Sequence, residues 1–266
     1  MHHEAAGLQR NGAASLYRSV SAFALVMLIS ILSQTTTVCA QDERHVPCTE
    51  DVVLVFDASG SMSGNGWGYG SESAHTVSRI DRVRSALEKV LPNVTRFRRV
   101  GLVTYGPTRT SGLPNQCNNI EASLAPTADA DEQILTIVRG LVPAGGTPLT
   151  RAVEEAAYLL DYRNNPGVIV VLTDGEDTCG GSPCDVGKAL HADAEQLTVH
   201  VISLRVRGLS WTGEASIVQT RCLAEQNAGL YLSPESTEEL VEALEKTLSC
   251  LNVSSVSSRN GFTANH

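Results

Sequence analysis

The run Asp57-Ala58-Ser59-Gly60-Ser61 places one carboxylate and two hydroxyls directly after the apolar segment Val52 to Phe56. Two further oxygen donors stand in comparable places: Thr147 follows Gly145-Gly146, and Asp174 follows the apolar run Val168 to Thr173. Hard, oxygen-only ligands of this kind suit Mg2+, with Mn2+ or Ca2+ as alternatives, rather than zinc or copper. The chemistry expected from Asp57, Ser59, Ser61, Thr147 and Asp174 is the binding of one divalent cation, not catalysis.

A D-x-S-x-S run alone is weak, because Asp and Ser are ordinary turn and cap residues. The agreement of three chain-distant segments is what gives it weight. The rival from another class is a hydrolase, and the residue types speak against it. Gly60-Ser61-Met62-Ser63-Gly64 has Met at the centre, where a nucleophile elbow needs Ser. Neither H-E-x-x-H nor a phosphate loop ending in Lys-Ser or Lys-Thr occurs. His75, His191 and His200 lack a base-and-orienter pattern; His200 alternates within an apolar strand and reads as a core residue, and His191 reads as a solvated helix residue. The expectation is a protein that is not an enzyme and has no catalytic residues.

The elements that must position these donors alternate strand and helix, the pattern of a parallel sheet covered on both faces. Val52 to Phe56 is continuous in Val and Leu, as a strand buried on both faces should be. Ser78 and Asp81 open a helix whose apolar stripe is Ile80, Val83, Leu87, Val90 and Leu91. Val100 to Tyr105 is a second strand and Ile120 to Leu124 a short edge strand; Glu132 to Leu141 is a helix. Thr147 is expected to cap the next helix, with Pro148 at its first position. Strands follow at 168–173, 198–206 and 230–232, and helices at 185–194 and 213–226. A last helix is opened by Ser236 and Glu239. The fold class is α/β, an open doubly wound, mostly parallel sheet with one short antiparallel edge strand. In such sheets the loops at the carboxyl ends of the strands form the ligand face, and the five oxygen donors all belong there.

Here the chain resembles the von Willebrand factor type A family and its metal-ion-dependent adhesion site, over essentially the whole region from 48 to 250. By that resemblance Ser59, Ser61 and Thr147 would ligate the ion directly, and Asp57 and Asp174 would act through water. Neutral ligands leave the ion's charge largely uncancelled, so the resemblance implies a protein partner that presents an Asp or Glu carboxylate. It equally accommodates a scaffold module that binds through another surface. Residues 173–181, Thr-Asp-Gly-Glu-Asp-Thr-Cys-Gly-Gly, are similar to a run in exported bacterial members, which implies a Gram-negative periplasmic or secreted protein.

The flanks fit export. Arg10 and Arg18 precede the 13-residue apolar stretch Val20 to Leu32, and Val38-Cys39-Ala40 supplies small residues before Gln41, so 1–40 reads as a secretory signal peptide. The stretch is shorter than the ~20 residues a spanning helix needs, which favours cleavage, with retention as an uncleaved anchor as the alternative. Residues 41–47 form a short leading segment, 48–250 the one domain, and 251–266 a Ser- and Asn-rich disordered tail. The chain's formal net charge of −9 repels nucleic acid and anionic membranes.

Outside the leader stand Cys48, Cys117, Cys179, Cys184, Cys222 and Cys250, an even count that argues for disulfides in an exported chain. Sequence alone leaves about 15 pairings open. Cys48 precedes the first strand and Cys250 ends a helix running back from the ligand face, so these two are expected to meet. Cys179–Cys184 is expected from proximity, and Cys117–Cys222 then remains by elimination. Trp67, Tyr69 and Trp211 fall in loops on the ligand face and are expected to rim the ion and contact the partner, since aromatics concentrate binding energy.

Overall fold

Apolar runs too continuous for a half-exposed sheet become central strands. The computed structural model describes residues 48–64, 77–106, 117–204 and 213–250. Its six strands are β1 (Asp51–Asp57), β2 (Val100–Tyr105), β3 (Ile120–Thr127), β4 (Pro166–Thr173), β5 (Gln196–Ser203) and β6 (Tyr231–Leu232), in the spatial order β3-β2-β1-β4-β5-β6. All neighbours are parallel except β2 and β3, which are antiparallel. The edge strand β3 runs to Thr127, beyond the expected end at Leu124, and its pairing with β2 is irregular around Leu102.

Among the described residues six α-helices cover the sheet: α1 (Arg79–Val94), α2 (Asp131–Gly140), α3 (Leu149–Leu159), α4 (Pro183–Asp193), α5 (Gly213–Gln226) and α6 (Thr237–Leu248). The side-chain alternation of β1 divides the core between them. Val52, Leu54 and Phe56 pack with Leu87 and Leu91 of α1, Ile134 of α2 and Leu244 of α6. Val53 and Val55 face the other way, onto Leu149 and Val153 of α3, Leu190 of α4 and Leu223 of α5. Because β1 is buried on both faces, its period-2 alternation is hidden in the sequence.

Caps set two helix starts as the sequence predicts. The Ser78 hydroxyl accepts from the Asp81 N–H at 3.2 Å, and the Ser236 hydroxyl from the Glu239 N–H at 3.0 Å. Thr147 does not cap α3. Pro148 holds the cap position, and the carboxylate of Asp177, reaching in from the loop after β4, accepts from the Thr150 N–H at 2.9 Å. A charged acceptor satisfies the free amides of a first turn better than a hydroxyl does, so Asp177 displaces Thr147 from that role.

At the opposite end of the sheet Cys48 and Cys250 are joined, with Cα atoms 5.4 Å apart. Beside them Arg98, buried at 6% exposure, donates to the carbonyls of Glu50 at 3.1 Å and Leu248 at 3.0 Å. It thereby closes the carboxyl end of α6, where the helix dipole favours a cation.

The other cysteines pair differently from the sequence expectation. Cys117 joins Cys179, and Cys184 joins Cys222, in place of Cys179–Cys184 and Cys117–Cys222. Packing supplies the reason. Cys184 lies in the first turn of α4 and Cys222 on α5, two helices on the same face of the sheet, and the Gln219 side chain of α5 accepts from the Cys184 N–H. Cys179 instead stays with the loop that Asp177 organises. There Arg151 of α3 holds the carbonyl of Cys117 at 3.1 Å. Chain proximity was outweighed by the direction in which α4 carries Cys184 away.

Trp67, Tyr69 and Trp211, like the leader 1–40, the segment 41–47 and the tail 251–266, lie outside the described residues. Among the described residues no helix is long and apolar enough to cross a membrane.

Candidate metal centre

Strand order reverses between β1 and β4: from β1 the chain moves to β2 on one side, and from β4 to β5 on the other. Such a switch point leaves a crevice at the carboxyl ends of the two strands, and Asp57 and Thr173 are their last residues. The Thr173 hydroxyl donates to Asp57 Oδ2 at 2.8 Å, and the Ser59 N–H donates to Asp57 Oδ1 at 2.8 Å. Both carboxylate oxygens are therefore fixed.

The chain then turns through a short 3-10 segment, Gly60–Ser63. This turn carries the Ser59 and Ser61 hydroxyls to within 3.1 Å of each other, and Ser61 Oγ donates to Asp174 Oδ1 at 2.6 Å. The loop before α3 is stitched to the same turn by Gly60 N–H to Gly145 O at 3.2 Å and Ala144 N–H to Ala58 O at 3.0 Å. Thr147 follows in that loop, 4% exposed. Its N–H donates to the Thr178 hydroxyl and its carbonyl accepts from the Thr178 N–H, so its backbone is held by the loop after β4. A Cβ placed on Gly175 would lie 3.6 Å from Thr147 Oγ1, which sets that hydroxyl beside the backbone that carries Asp174. All five expected oxygen donors are brought to one crevice.

Gly106 permits this closeness. It follows β2 with φ of +100°, and a side chain there would collide with the backbone of Ala58 and Ser59. Only glycine tolerates both the conformation and the approach.

The electrostatics favour a cation. Asp57 is fully buried, and burial raises its carboxyl pKa, an effect that its hydrogen bonds to Ser59 and Thr173 only partly offset. Among the described residues no basic side chain pairs with it. The buried Tyr105 hydroxyl stands close by without a fully formed hydrogen bond; burial, then the neighbouring Asp57 charge, pushes its pKa well above the ordinary value. A buried, unneutralised carboxylate is costly, and a divalent ion beside it would remove the cost. The donor set thus fits a Mg2+-class ion: three hydroxyls and two carboxylates, all hard oxygens. No group of three or more His, Cys, Asp or Glu side chains among the described residues could hold a metal, so an ion here would depend on the hydroxyls.

Two residues of this crevice were missed in the sequence. Asp177 is the hub of the loop after β4: besides α3, it accepts from the N–H groups of Cys179 at 2.8 Å and Gly181 at 3.0 Å. Its place three residues after Asp174, in a loop that also holds Gly175, Gly180 and Gly181, was the available signal. Arg79, the first residue of α1, forms an ion pair with Asp174 Oδ2 at 3.2 Å and donates to the Ser61 carbonyl at 2.9 Å. Nothing in its neighbourhood in the sequence marks it.

Neither described histidine belongs to the crevice. His200, 9% exposed, accepts from the Leu230 N–H through Nδ1 at 3.0 Å. Burial, and then the charge of Arg98, lower its pKa to about 4. It is a neutral core residue, and His191 is exposed on α4; His75 lies outside the described residues.

Residues 51–246 match the model of the von Willebrand factor type A domain. The chain is 27% identical over 230 residues to YwmC of Bacillus subtilis (strain 168), an alignment covering 84% of this chain and 94% of YwmC. It is 27% identical over 206 residues to YwmD of the same organism, covering 74% of this chain and 84% of YwmD. Among solved structures, an aerotolerance-related membrane protein from Bacteroides fragilis superposes with a TM-score of 0.54 at 17% identity, covering 75% of this chain and 98% of that one. The PilB minor pilin from Streptococcus sanguinis gives 0.52 at 16% identity, covering 76% and 62%. At these identities the structural likeness speaks for the fold alone.

Proposed function

Since the chain belongs to the von Willebrand factor type A family, whose domain is in general a protein-interaction or adhesion module, we propose that it binds one Mg2+-class ion and uses it to hold a carboxylate of a protein partner. Ser59, Ser61 and Thr147 would supply neutral oxygens, with Asp57 and Asp174 behind them. The ion would supply Lewis acidity and an uncancelled positive charge toward an incoming Asp or Glu side chain. The chain's own residues do the rest: Thr173 and the Ser59 N–H orient Asp57, and Ser61 orients Asp174.

The observation that carries this reading is the burial of Asp57 with no cation beside it among the described residues, at the point where its own turn brings the Ser59 and Ser61 hydroxyls and the loop before α3 brings that of Thr147. In this reading the domain binds and does not catalyse. Trp67, Tyr69 and Trp211 would add apolar contact around the ion. The three disulfides support an exported protein, secreted or periplasmic, because such bonds persist in oxidising compartments.

The test is capture of partners from the extracellular or periplasmic fraction, with and without EDTA, on immobilised wild-type and Asp174→Ala protein. A partner retained by wild type and released by EDTA supports the proposal. A partner retained equally in EDTA and by Asp174→Ala would point to a scaffold binding through another surface.

A further inference from the structure

A guanidinium standing on one of the two carboxylates of a cation site is a competitor for that carboxylate. Asp174 is 1% exposed in its side chain and divides its oxygens: Oδ1 accepts from Ser61, and Oδ2 pairs with Arg79 at 3.2 Å. The same Nη1 of Arg79 donates to the Ser61 carbonyl at 2.9 Å. One arginine therefore clamps a site residue from the turn after β1 to one from the end of β4. Its own surroundings are poor. Among the described residues Arg79 Nε is buried without a hydrogen-bond partner, and so is Nη2 of Arg82, one turn along α1. Burial, then the nearby charge of Arg79, lowers the Arg82 pKa. Arg79 thus meets the site from the start of α1 with a second cation, Arg82, one turn behind it, and Arg82 in turn has Glu238 of α6 beside it.

Resting on the divalent-cation reading above, we propose that Arg79 is a built-in counter-cation of the site, which holds Asp174 in place and weakens divalent-ion binding by charge repulsion. Asp57 and Asp174 bring two formal negative charges, and Arg79 cancels one. A divalent ion must then share Asp174 with a fixed positive charge, in surroundings where charges are poorly screened. Ion occupancy consequently follows the external concentration of the ion instead of saturating at traces of it. The backbone N–H of Arg79 is tied to Gly64 O at 3.2 Å, so the arginine is anchored to the end of the metal-loop turn and does not drift from the site.

Calorimetric titration of EDTA-stripped protein with Mg2+ and Mn2+, on wild type, Arg79→Gln, Arg79→Lys and Asp174→Ala, tests this. Arg79→Gln keeps a hydrogen-bond donor and loses the charge, and is expected to bind the ion about tenfold more tightly. Arg79→Lys keeps the charge and is expected to stay near wild type. A purely structural Arg79 predicts the opposite sign: loss of the clamp would loosen Asp174, and Arg79→Gln would bind more weakly. Equal or weaker binding by Arg79→Gln, with wild type binding normally and thermal melts showing both folded, overturns the inference alone. Absence of binding in every variant overturns the cation site and the inference together.

Discussion

Ser61 and Asp174 lie 113 positions apart in the chain, yet the serine hydroxyl donates to the carboxylate at 2.6 Å. That bond joins the turn after β1 to the end of β4 across the switch point of the sheet. It couples the site to the fold, because neither residue can shift without disturbing the other strand end.

Thr173 holds the second buried carboxylate. Thr173→Val preserves shape and removes the hydroxyl that donates to Asp57 Oδ2. Leaving a buried carboxylate short of a donor should lower stability by about 1–3 kcal/mol, read from urea denaturation of the metal-free protein. Stability equal to wild type would show that Asp57 is satisfied by other means.

His200 predicts a pH dependence. Its folded pKa of about 4 lies below the ordinary value of 6.5, so the unfolded chain takes up the proton first. Its contribution is complete above pH 6.5 and is lost as pH falls from there toward 4, to a total of about 3 kcal/mol. Protonation would also turn Nδ1 from acceptor to donor against the Leu230 N–H. His200→Gln should flatten the stability profile over this window; an unchanged profile would exclude His200 as its source.

Arg98 should matter more than a surface arginine. Arg98→Met removes donors from the carbonyls of Glu50 and Leu248 in a buried place, at a cost of about 2–3 kcal/mol. Hydrogen exchange should rise first in the last turn of α6. Protection unchanged there would contradict the capping role.

The disulfide framework is checked by peptide mapping without reduction, which should recover Cys48–Cys250, Cys117–Cys179 and Cys184–Cys222. Replacing Cys48 and Cys250 together by Ser should destabilise the domain by ~2–5 kcal/mol, since their separation of 202 residues spans nearly the whole domain. Recovery of a Cys179–Cys184 peptide would contradict the pairing of helices α4 and α5.

The strand–helix order and the crevice residues were legible because each rests on local signals. Val52 to Phe56 announces a strand buried on both faces, and an acid and two hydroxyls at its end announce a ligand loop. Ser78 and Ser236 cap their helices through neighbours three residues away, a spacing readable in one dimension. Asp177 caps α3 from 27 residues away, and Arg79 reaches Asp174 from the first turn of α1. Those contacts depend on which loops the sheet order brings together, and on side-chain reach, neither of which is written locally. Cys48–Cys250 was legible from the positions of its two elements, but the expected Cys179–Cys184 and Cys117–Cys222 pairs failed for the same reason: Cys179 and Cys184 are close along the chain, and the start of α4 turns them toward different partners.

Titration of metal-free protein with Mn2+, followed by calorimetry on wild type, Ser61→Ala and Asp174→Ala, addresses the proposed cation site most directly. One ion per wild-type chain, displaced by Mg2+, with affinity reduced at least about tenfold by Asp174→Ala (about 1.4 kcal/mol or more), is the expected result. Equal Mn2+ binding by wild type and Asp174→Ala, or none by wild type, would contradict it.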